Sequence, residues 1–223
     1  MRNDRAEDRT DERKFCGTET GGPGASVTQV LRRDIVAIGA SAGGVEAIRK
    51  LMEKLPTDLP AAVLIVLHRS PYIPSNFPWI ISHHTALRVR IAQEGCSLEH
   101  GVCLISPPER HLIVTPSLRI HLLADGFYRS HNIDALFNSL ARCAGPRTIG
   151  VVLSGLLKDG TLGLRSIKEA GGVTLVQSPT EAAYPDMPES AIFSDGPIDF
   201  VGSIEALAKE ICRRASSSTL LTS

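Results

Sequence analysis

Three residues whose types cooperate in acyl-transfer chemistry each follow an apolar segment of the chain: Ser41, His68 and Asp159. A serine hydroxyl is a poor nucleophile near neutral pH and needs a base within hydrogen-bonding distance. Histidine suits that role because its unperturbed pKa is about 6.5. A carboxylate can fix the histidine tautomer and stabilise the imidazolium. The three residues therefore predict nucleophilic catalysis by serine, provided that the fold brings them together.

The turn that carries Ser41 reads Gly-Ala-Ser-Ala-Gly over residues 39–43. It does not fit the dinucleotide-binding pattern G-x-G-x-x-G. Ser41 stands at the second glycine of that pattern, and His68 stands where an acidic ribose partner would be sought. The turn does match the G-x-S-x-G motif that presents a nucleophilic serine between a strand and a helix. A turn of small residues that merely ends a strand is the remaining interpretation, and this segment alone leaves it open.

The other two residues also have competing interpretations. His68 is one of seven histidines, and it is singled out because it directly ends a seven-residue apolar run, Ala61–Leu67. Asp159 could instead cap a helix that begins at Gly160, although its place after a buried strand favours a functional role. The chain order serine, histidine, aspartate also differs from the order in α/β-hydrolases, so the turn motif alone would indicate the wrong family.

The apolar pattern predicts that strands and helices alternate along the chain. Strands are expected at residues 34–38, 61–67, 88–92, 101–106, 148–153 and 173–177, and helices at 45–55, 75–83, 133–144, 160–170 and 203–214. Residues 111–115 and 118–122 predict a β-hairpin, and residues 178–190, with three prolines, predict a loop. The expected fold is single-domain α/β, doubly wound, with a mainly parallel sheet and an antiparallel β-hairpin at the edge. Ligands of such folds bind beyond the carboxyl ends of the strands, where all three candidate residues would lie.

Composition limits the classes of function. The 223 residues include 24 Lys or Arg and 24 Asp or Glu, so the formal net charge is zero and nothing favours a nucleic-acid partner. No apolar run approaches the ~20 residues that cross a bilayer, and the N-terminus lacks the apolar core of a secretory signal. The five cysteines are odd in number and have no C-x-x-C spacing. They favour reduced thiols in a cytoplasm and no structural zinc.

Composition also predicts the domain boundaries. Residues 1–33 are charged or rich in Gly, Ser and Thr, and they are expected to be a disordered polar leader. Residues 34–214 are expected to form the folded domain. Residues 215–223 are polar at their start and are expected to be a flexible tail.

From about Asp34 to Ile211, the chain resembles the catalytic domain of the bacterial chemotaxis receptor-glutamate methylesterases, the CheB type. The most specific matching segments are residues 35–48, around Ser41, and residues 150–160, which end in Asp159-Gly160. Supporting segments are Leu67-His68, residues 105–108 with His111, residues 133–137 and residues 187–191. The segments follow one another in the order that the family has. Residues 34–214 are accordingly expected to be a methylesterase domain.

The resemblance implies that Ser41 is the nucleophile, His68 the general base and Asp159 the carboxylate that orients it. It implies hydrolysis of γ-glutamyl methyl esters, with release of methanol, and in many members deamidation of particular glutamines. The implied partners are cytoplasmic helices of methyl-accepting chemoreceptors or similar sensory proteins, and neither cofactor nor metal is expected. Attack by serine creates an oxyanion that needs backbone N–H donors. The turn at residues 41–44 and the segment near Leu156 are the candidates.

Two departures from the family pattern bear on function. Leu157 stands where the family has a glycine, and if that glycine has a positive φ, a leucine there is strained and affects the oxyanion side of the site. Only 33 residues precede Asp34, too few for the phospho-receiver domain of many members, so phosphorylation control within the chain is not expected. Two alternatives to esterase activity stay open. One is a docking module with an impaired site, and the other is a serine hydrolase of another acyl or amide substrate.

Overall fold

The computed structural model describes residues 29–70, 72, 75–124, 131–194 and 196–221. Most of the predicted disordered leader, residues 1–28, and the last two residues of the predicted tail lie outside the described residues. Within the predicted leader and tail, β1 (Gln29–Arg32) and β11 (Ser218–Leu221) pair as an antiparallel sheet. Backbone hydrogen bonding between the two segments extends the ordered chain past both predicted boundaries. Neither segment reveals this pairing by its own composition.

In the described part of the chain, the central sheet has seven strands, and every neighbouring pair is parallel. They are β2 (Ile35–Ala40), β3 (Ala62–Leu67), β4 (Arg88–Ile91), β5 (Val102–Ile105), β8 (Thr148–Val152), β9 (Val173–Gln177) and β10 (Phe200–Gly202). Every residue of β2, β3, β5, β8 and β9 is buried. Strands covered on both faces need nearly continuous apolar sequence, and this explains the runs that predicted them.

The strand order is β10-β9-β8-β2-β3-β5-β4. From β2 the chain moves outward to β3, β4 and β5, and then returns to the other side of β2 for β8, β9 and β10. The direction of winding therefore reverses at β2, and the carboxyl ends of β3, β2 and β8 lie side by side. Such a reversal is a topological switch point, which is where sheets of this type bind ligands.

Helices cover both faces of the sheet. They are α1 (Gly44–Met52), α2 (Phe77–His83), α3 (Asn132–Cys143), α4 (Thr161–Glu169), α5 (Asp186–Phe193) and α6 (Ile204–Ser216). Buried residues of α1, α2 and α6 form one core with Val36 and Ile38 of β2. Those of α3, α4 and α5 form a second core with Ile35 and Ala37. Alternate residues of β2 thus point into opposite cores, and this confirms the predicted doubly wound α/β fold.

The predicted β-hairpin is present as β6 (Arg110–Val114) and β7 (Ile120–Ala124), which pair antiparallel. These strands form a two-stranded sheet of their own rather than joining the central sheet. Leu112 and Val114 are buried in the same core as α3. The hairpin therefore packs beside α3 on the same side of the central sheet.

The prediction of a loop over residues 178–190 was wrong at its C-terminal end, where α5 begins at Asp186. Pro188 suggested irregular structure, but it lies in the first turn of α5. A proline is tolerated there because the first-turn N–H groups have no partner within the helix. Asp186 and Glu189 place negative charge at the N-terminal end of α5, which the helix dipole favours.

An ion pair joins the amino ends of β2 and β8. Arg147, directly before β8, donates from Nε to Asp34 Oδ1 at 2.8 Å and from Nη2 to Oδ2 at 2.9 Å. His100 Nε2 lies 3.2 Å from Asp34 Oδ2. Burial acts to raise the pKa of the Asp34 carboxyl, but the hydrogen bonds from Arg147 and His100 outweigh it and leave the pKa below its ordinary value. This bidentate ion pair fixes the amino ends of the two strands relative to each other.

We expect Asp34→Asn to lower the free energy of unfolding at neutral pH by about 2 kcal/mol, because Arg147 loses its charged acceptor. The folded pKa of Asp34 lies below the unfolded value. Its contribution is therefore fully present above the unfolded pKa of about 3.9 and is lost as pH falls through the folded pKa. Urea unfolding of both proteins over a descending pH series measures the difference, which should shrink in acid. A difference that is constant with pH would show that the carboxylate charge is not its cause.

Candidate active site

Ser41 is the first residue after β2, and hydrogen bonds of the turn hold its backbone. Its N–H donates to the Ser154 carbonyl at 3.0 Å, and its own carbonyl accepts from the Gly44 N–H at 2.9 Å. Gly43 in this turn has a φ of 72°, and a Cβ there would lie 2.7 Å from the Ser154 hydroxyl oxygen. Both the backbone conformation and the close contact require glycine at this position. The second glycine of the G-x-S-x-G segment is thus needed to form this turn.

His68 directly follows β3, and its ring lies between the other two candidate residues. His68 Nδ1 is 3.3 Å from Ser41 Oγ, and His68 Nε2 is 2.7 Å from Asp159 Oδ2. An ionised carboxylate can only accept hydrogen bonds, so Nε2 carries the ring proton and donates a hydrogen bond to Asp159. Nδ1 is then free to accept the serine proton. The structure brings together all three residues that the sequence singled out.

The three side chains differ in exposure. The Asp159 side chain is 3% exposed and the His68 side chain 23%, while Ser41 is half-buried. A substrate can therefore reach the serine and the histidine, whereas the carboxylate is shielded from water. Exclusion of water from Asp159 strengthens its hydrogen bond to His68.

Asp159 does not cap α4, the structural role that the sequence also allowed. The N-cap of α4 is Gly160. The Asp159 carboxylate instead accepts hydrogen bonds from the first turn of α3. The Ile133 N–H donates to Oδ2, and the Asp134 N–H donates to Oδ1, both at 2.9 Å. Because a helix N-terminus favours negative charge, α3 stabilises the ionised carboxylate beside His68.

Ser154, which the sequence did not single out, stabilises the backbone of the Ser41 turn. The Ser154 hydroxyl donates to the Ala42 carbonyl at 2.8 Å and accepts from the Tyr184 N–H at 3.0 Å. The Ser154 N–H donates to Gln177 Oε1 at 2.9 Å. The signal in the sequence was a serine shortly after a buried strand, the same kind of position that drew attention to Ser41.

Asp134 was missed as well. It is only 5% exposed, and its Oδ1 accepts from the Gly163 N–H, in the first turn of α4, at 2.7 Å. Burial raises the pKa of the Asp134 carboxyl, and the neighbouring charge of Asp159 adds to that rise, while the Gly163 hydrogen bond opposes it. The available signal was a carboxylate within an otherwise apolar helical segment.

Two of the predicted oxyanion donors are already occupied, because the N–H groups of Ser41 and Gly44 donate to carbonyls of the protein. The amides of Ala42, Gly43 and Leu156 have no acceptor among the described residues. These are the N–H groups that remain for a developing negative charge. The candidate hydrogen-bond donors to the oxyanion are thus the amides in the middle of the turn and the amide of Leu156, in the segment after β8.

Leu157 has a φ of 68°. The backbone here adopts the left-handed conformation that favours glycine, so the strain expected for a leucine at this position is present. Its side chain is 73% exposed, and its carbonyl accepts from the Ser190 hydroxyl at 3.3 Å. The strained residue directly follows Leu156, whose amide is a candidate oxyanion donor.

A cavity of about 700 Å³ opens beside Asp159, between α5 and the start of α3. Its lining comprises His131, Leu157, Lys158, Asp159, Asp186, Glu189, Ser190 and Phe193. Phe193 is 81% exposed and Leu157 73%. Large exposed apolar side chains beside reactive groups provide a surface on which a substrate can bind.

His131, Asp134 and Asp159 place possible metal-ligand atoms within 4.8 Å of one another. Both carboxylates already accept N–H groups from the first turns of α3 and α4. The arrangement is therefore a set of helix caps, and we assign no ion to it.

Among the helices of the described residues, none combines the length and the apolar character needed to cross a membrane.

Known proteins are similar to this chain over most of its length. The chain is 35% identical over 184 residues to a protein-glutamate methylesterase/protein-glutamine glutaminase of Moorella thermoacetica, covering 80% of this chain and 43% of the relative. It is 34% identical over 190 residues to protein-glutamate methylesterase/protein-glutamine glutaminase 2 of Methanosarcina mazei, covering 81% and 52%. The chain spans about half the length of the curated relatives it matches.

The crystal structure of the Thermotoga maritima CheB methylesterase catalytic domain is similar in fold, with a TM-score of 0.74 and 24% sequence identity. The similarity covers 82% of this chain and 99% of that one, and it supports the fold class predicted from the sequence. The model of the CheB methylesterase family matches residues 36–211, a range that contains Ser41, His68 and Asp159. The chain therefore belongs to the CheB methylesterase family.

Proposed function

We propose that the protein is a serine esterase that hydrolyses glutamyl methyl esters on chemoreceptors. Ser41 is the nucleophile, His68 the general base and Asp159 the carboxylate that orients the histidine. The observation that carries the proposal is the continuous line of contacts from Ser41 Oγ through the His68 ring to Asp159. The names of the relatives, protein-glutamate methylesterase/protein-glutamine glutaminase, support the choice of ester.

In the first step, Ser41 Oγ attacks the ester carbonyl carbon while His68 Nδ1 takes the hydroxyl proton. Asp159 stabilises the imidazolium and remains ionised. The oxyanion accepts hydrogen bonds from amides of the Ala42–Gly43 turn and Leu156. The tetrahedral intermediate collapses, the methoxy group takes the proton from His68 and leaves as methanol, and a glutamyl ester of Ser41 remains.

In the second step, water attacks the glutamyl ester of Ser41, and His68 again accepts a proton. Collapse returns this proton to Ser41 Oγ and releases a glutamate carboxylic acid, which ionises. A glutamine side chain would pass through the same steps with ammonia as the leaving group, so deamidation needs no further residue. The distance of 3.3 Å between Ser41 Oγ and His68 Nδ1 is long, and such contacts commonly shorten once substrate is bound.

The proposed substrate is a helix of a methyl-accepting chemoreceptor or a similar sensory protein, and the proposed location is the cytoplasm, where those helices lie. Leu157 and Phe193 supply exposed apolar surface beside the triad against which an amphipathic helix can pack. The formal net charge of zero gives no general attraction to a polyanion such as nucleic acid. These features support a protein substrate.

A second candidate function follows from Leu157. A residue with a Cβ in the left-handed conformation costs about 1–2 kcal/mol, and this strain adjoins the amide of Leu156. If the strain displaces that amide, the protein would bind receptors without hydrolysing their esters. It would then act as a docking module of a sensory complex.

We expect Ser41→Ala and His68→Ala each to abolish labelling by a fluorophosphonate probe, because the probe reacts with an activated serine. Methanol release from a methyl-esterified receptor fragment should fall by about 10⁴-fold or more in Ser41→Ala. Ser178→Ala is the matched control. Ser178 directly follows β9, as Ser41 follows β2, but its hydroxyl pairs with Thr180 Oγ1 at 2.8 Å, and its loss should leave labelling unchanged. Undiminished labelling of Ser41→Ala would contradict the proposal.

We expect Leu157→Gly to raise the free energy of unfolding by about 0.5–1 kcal/mol, since glycine relieves the left-handed strain but adds entropy to the unfolded chain. Leu157→Ala is the control, because it keeps the Cβ and should bring no such gain. Urea unfolding measures both variants. Fluorophosphonate labelling then separates the two candidate functions. An unreactive wild type that becomes reactive in Leu157→Gly would favour the docking module, whereas a wild type that already reacts fully would exclude it.

A further inference from the structure

The first turns of α3 and α4 are capped reciprocally beside the triad. Asp159, immediately before the N-cap of α4, accepts from the N–H groups of Ile133 and Asp134 in α3. Asp134, in the first turn of α3, accepts from the N–H of Gly163 in α4. Each helix thus receives a carboxylate from the segment that begins the other. We call this pair of carboxylates, Asp134 and Asp159, the reciprocal cap.

Close packing of the two helices makes the reciprocal cap possible. A Cβ at Gly163 would lie 2.4 Å from Phe137 Cβ and 3.2 Å from Asp134 Cα. Helices α3 and α4 therefore approach more closely than any side chain at this position would allow. The approach brings the Asp134 carboxylate within hydrogen-bonding distance of the α4 backbone.

The hydrogen bonds from α3 also fix the rotation of the Asp159 carboxylate. The Asp134 N–H holds Oδ1, and the Ile133 N–H holds Oδ2, the oxygen that His68 contacts. A shift of the α3 N-terminus relative to Asp159 would therefore disturb the contact between Oδ2 and the histidine ring. Asp134 links these parts because its backbone binds Asp159 and its side chain binds α4.

We propose that Asp134 is a positioning residue for the triad. It acts through Asp159, by holding the first turns of α3 and α4 together so that Asp159 Oδ2 meets His68 Nε2. This inference rests on the proposed function for its catalytic meaning, although the geometry it describes is independent of any substrate. The Asp134 carboxylate also pairs with His131, whose Nδ1 is 3.6 Å from Asp134 Oδ2.

Removing the Asp134 side chain leaves the buried Gly163 N–H without an acceptor, a state that proteins avoid. The start of α4 would then shift or admit water. Asp159 would move with it, because only three residues separate Asp159 from Gly163. Asp134→Asn keeps a carbonyl oxygen in the place of Oδ1 and can still accept from Gly163. The two substitutions therefore separate the role of the hydrogen bond from the role of the charge.

The test measures the proton between His68 Nε2 and Asp159 by its low-field NMR resonance, which needs no substrate. We expect this resonance to be lost or broadened in Asp134→Ala and kept in Asp134→Asn. Turnover of the methyl ester should fall about 10-fold to 100-fold in Asp134→Ala with KM unchanged, and Asp134→Asn should restore it. If Asp134→Ala does not fold, Asp134→Ser, whose shorter side chain cannot span the same distance, is measured in the same way.

Asp199→Ala is the matched control. The Asp199 carboxylate also accepts a backbone N–H, that of Thr174 at 2.9 Å, and pairs with Lys168, but it lies beside the amino end of β9, away from the triad. This variant should lose stability and keep both the resonance and the turnover. An unchanged resonance in folded Asp134→Ala would overturn the inference. Absence of hydrolysis in a wild type that shows the resonance would instead count against the proposed function alone.

Discussion

The negative charge of Asp159 lies against the first turn of α3, and the rest of the site depends on this contact. A carboxylate that is almost fully buried needs hydrogen-bond donors to offset its loss of water. Two come from the backbone of α3 and one from the His68 ring. In the proposed mechanism, the position of α3 therefore determines how the His68 ring is oriented and how it activates Ser41. A helix that contributes no reacting group thus supports the proposed catalytic residues.

Topology explains why residues far apart in sequence meet. Ser41 and His68 follow adjacent parallel strands, β2 and β3, and Asp159 follows β8 on the other side of β2. All three emerge at the same edge because the three strands run parallel, and the reversal of winding at β2 makes this edge a switch point. In the proposed mechanism, the strand in the middle of the three carries the nucleophile, and its two neighbours supply the base and the carboxylate. The glycine turn after β2 places Ser41 Oγ 3.3 Å from His68 Nδ1.

The sequence predicted the structure best where the signal lay within one segment of the chain. Buried strands gave continuous apolar runs, and the residues directly after them, Ser41 and His68, could be found from those runs alone. Asp159 could be found from its residue type and its place after a strand. The N–H groups that bind its carboxylate could not, because they belong to α3, more than twenty residues earlier. Asp134 escaped notice for the same reason, since its role lies in a hydrogen bond to a distant amide. Within residues 178–190, prolines obscured a helix whose first turn tolerates one of them.

The pairing of β1 with β11 has a mechanical consequence. Gln29 lies opposite Leu221, so the described chain enters and leaves the domain at neighbouring points. A pulling force applied through these two ends would unzip the β1–β11 ladder one hydrogen bond at a time, since both strands would be peeled from the same end. On the N-terminal side, the load would next reach Asp34, which Arg147 ties to the amino end of β8.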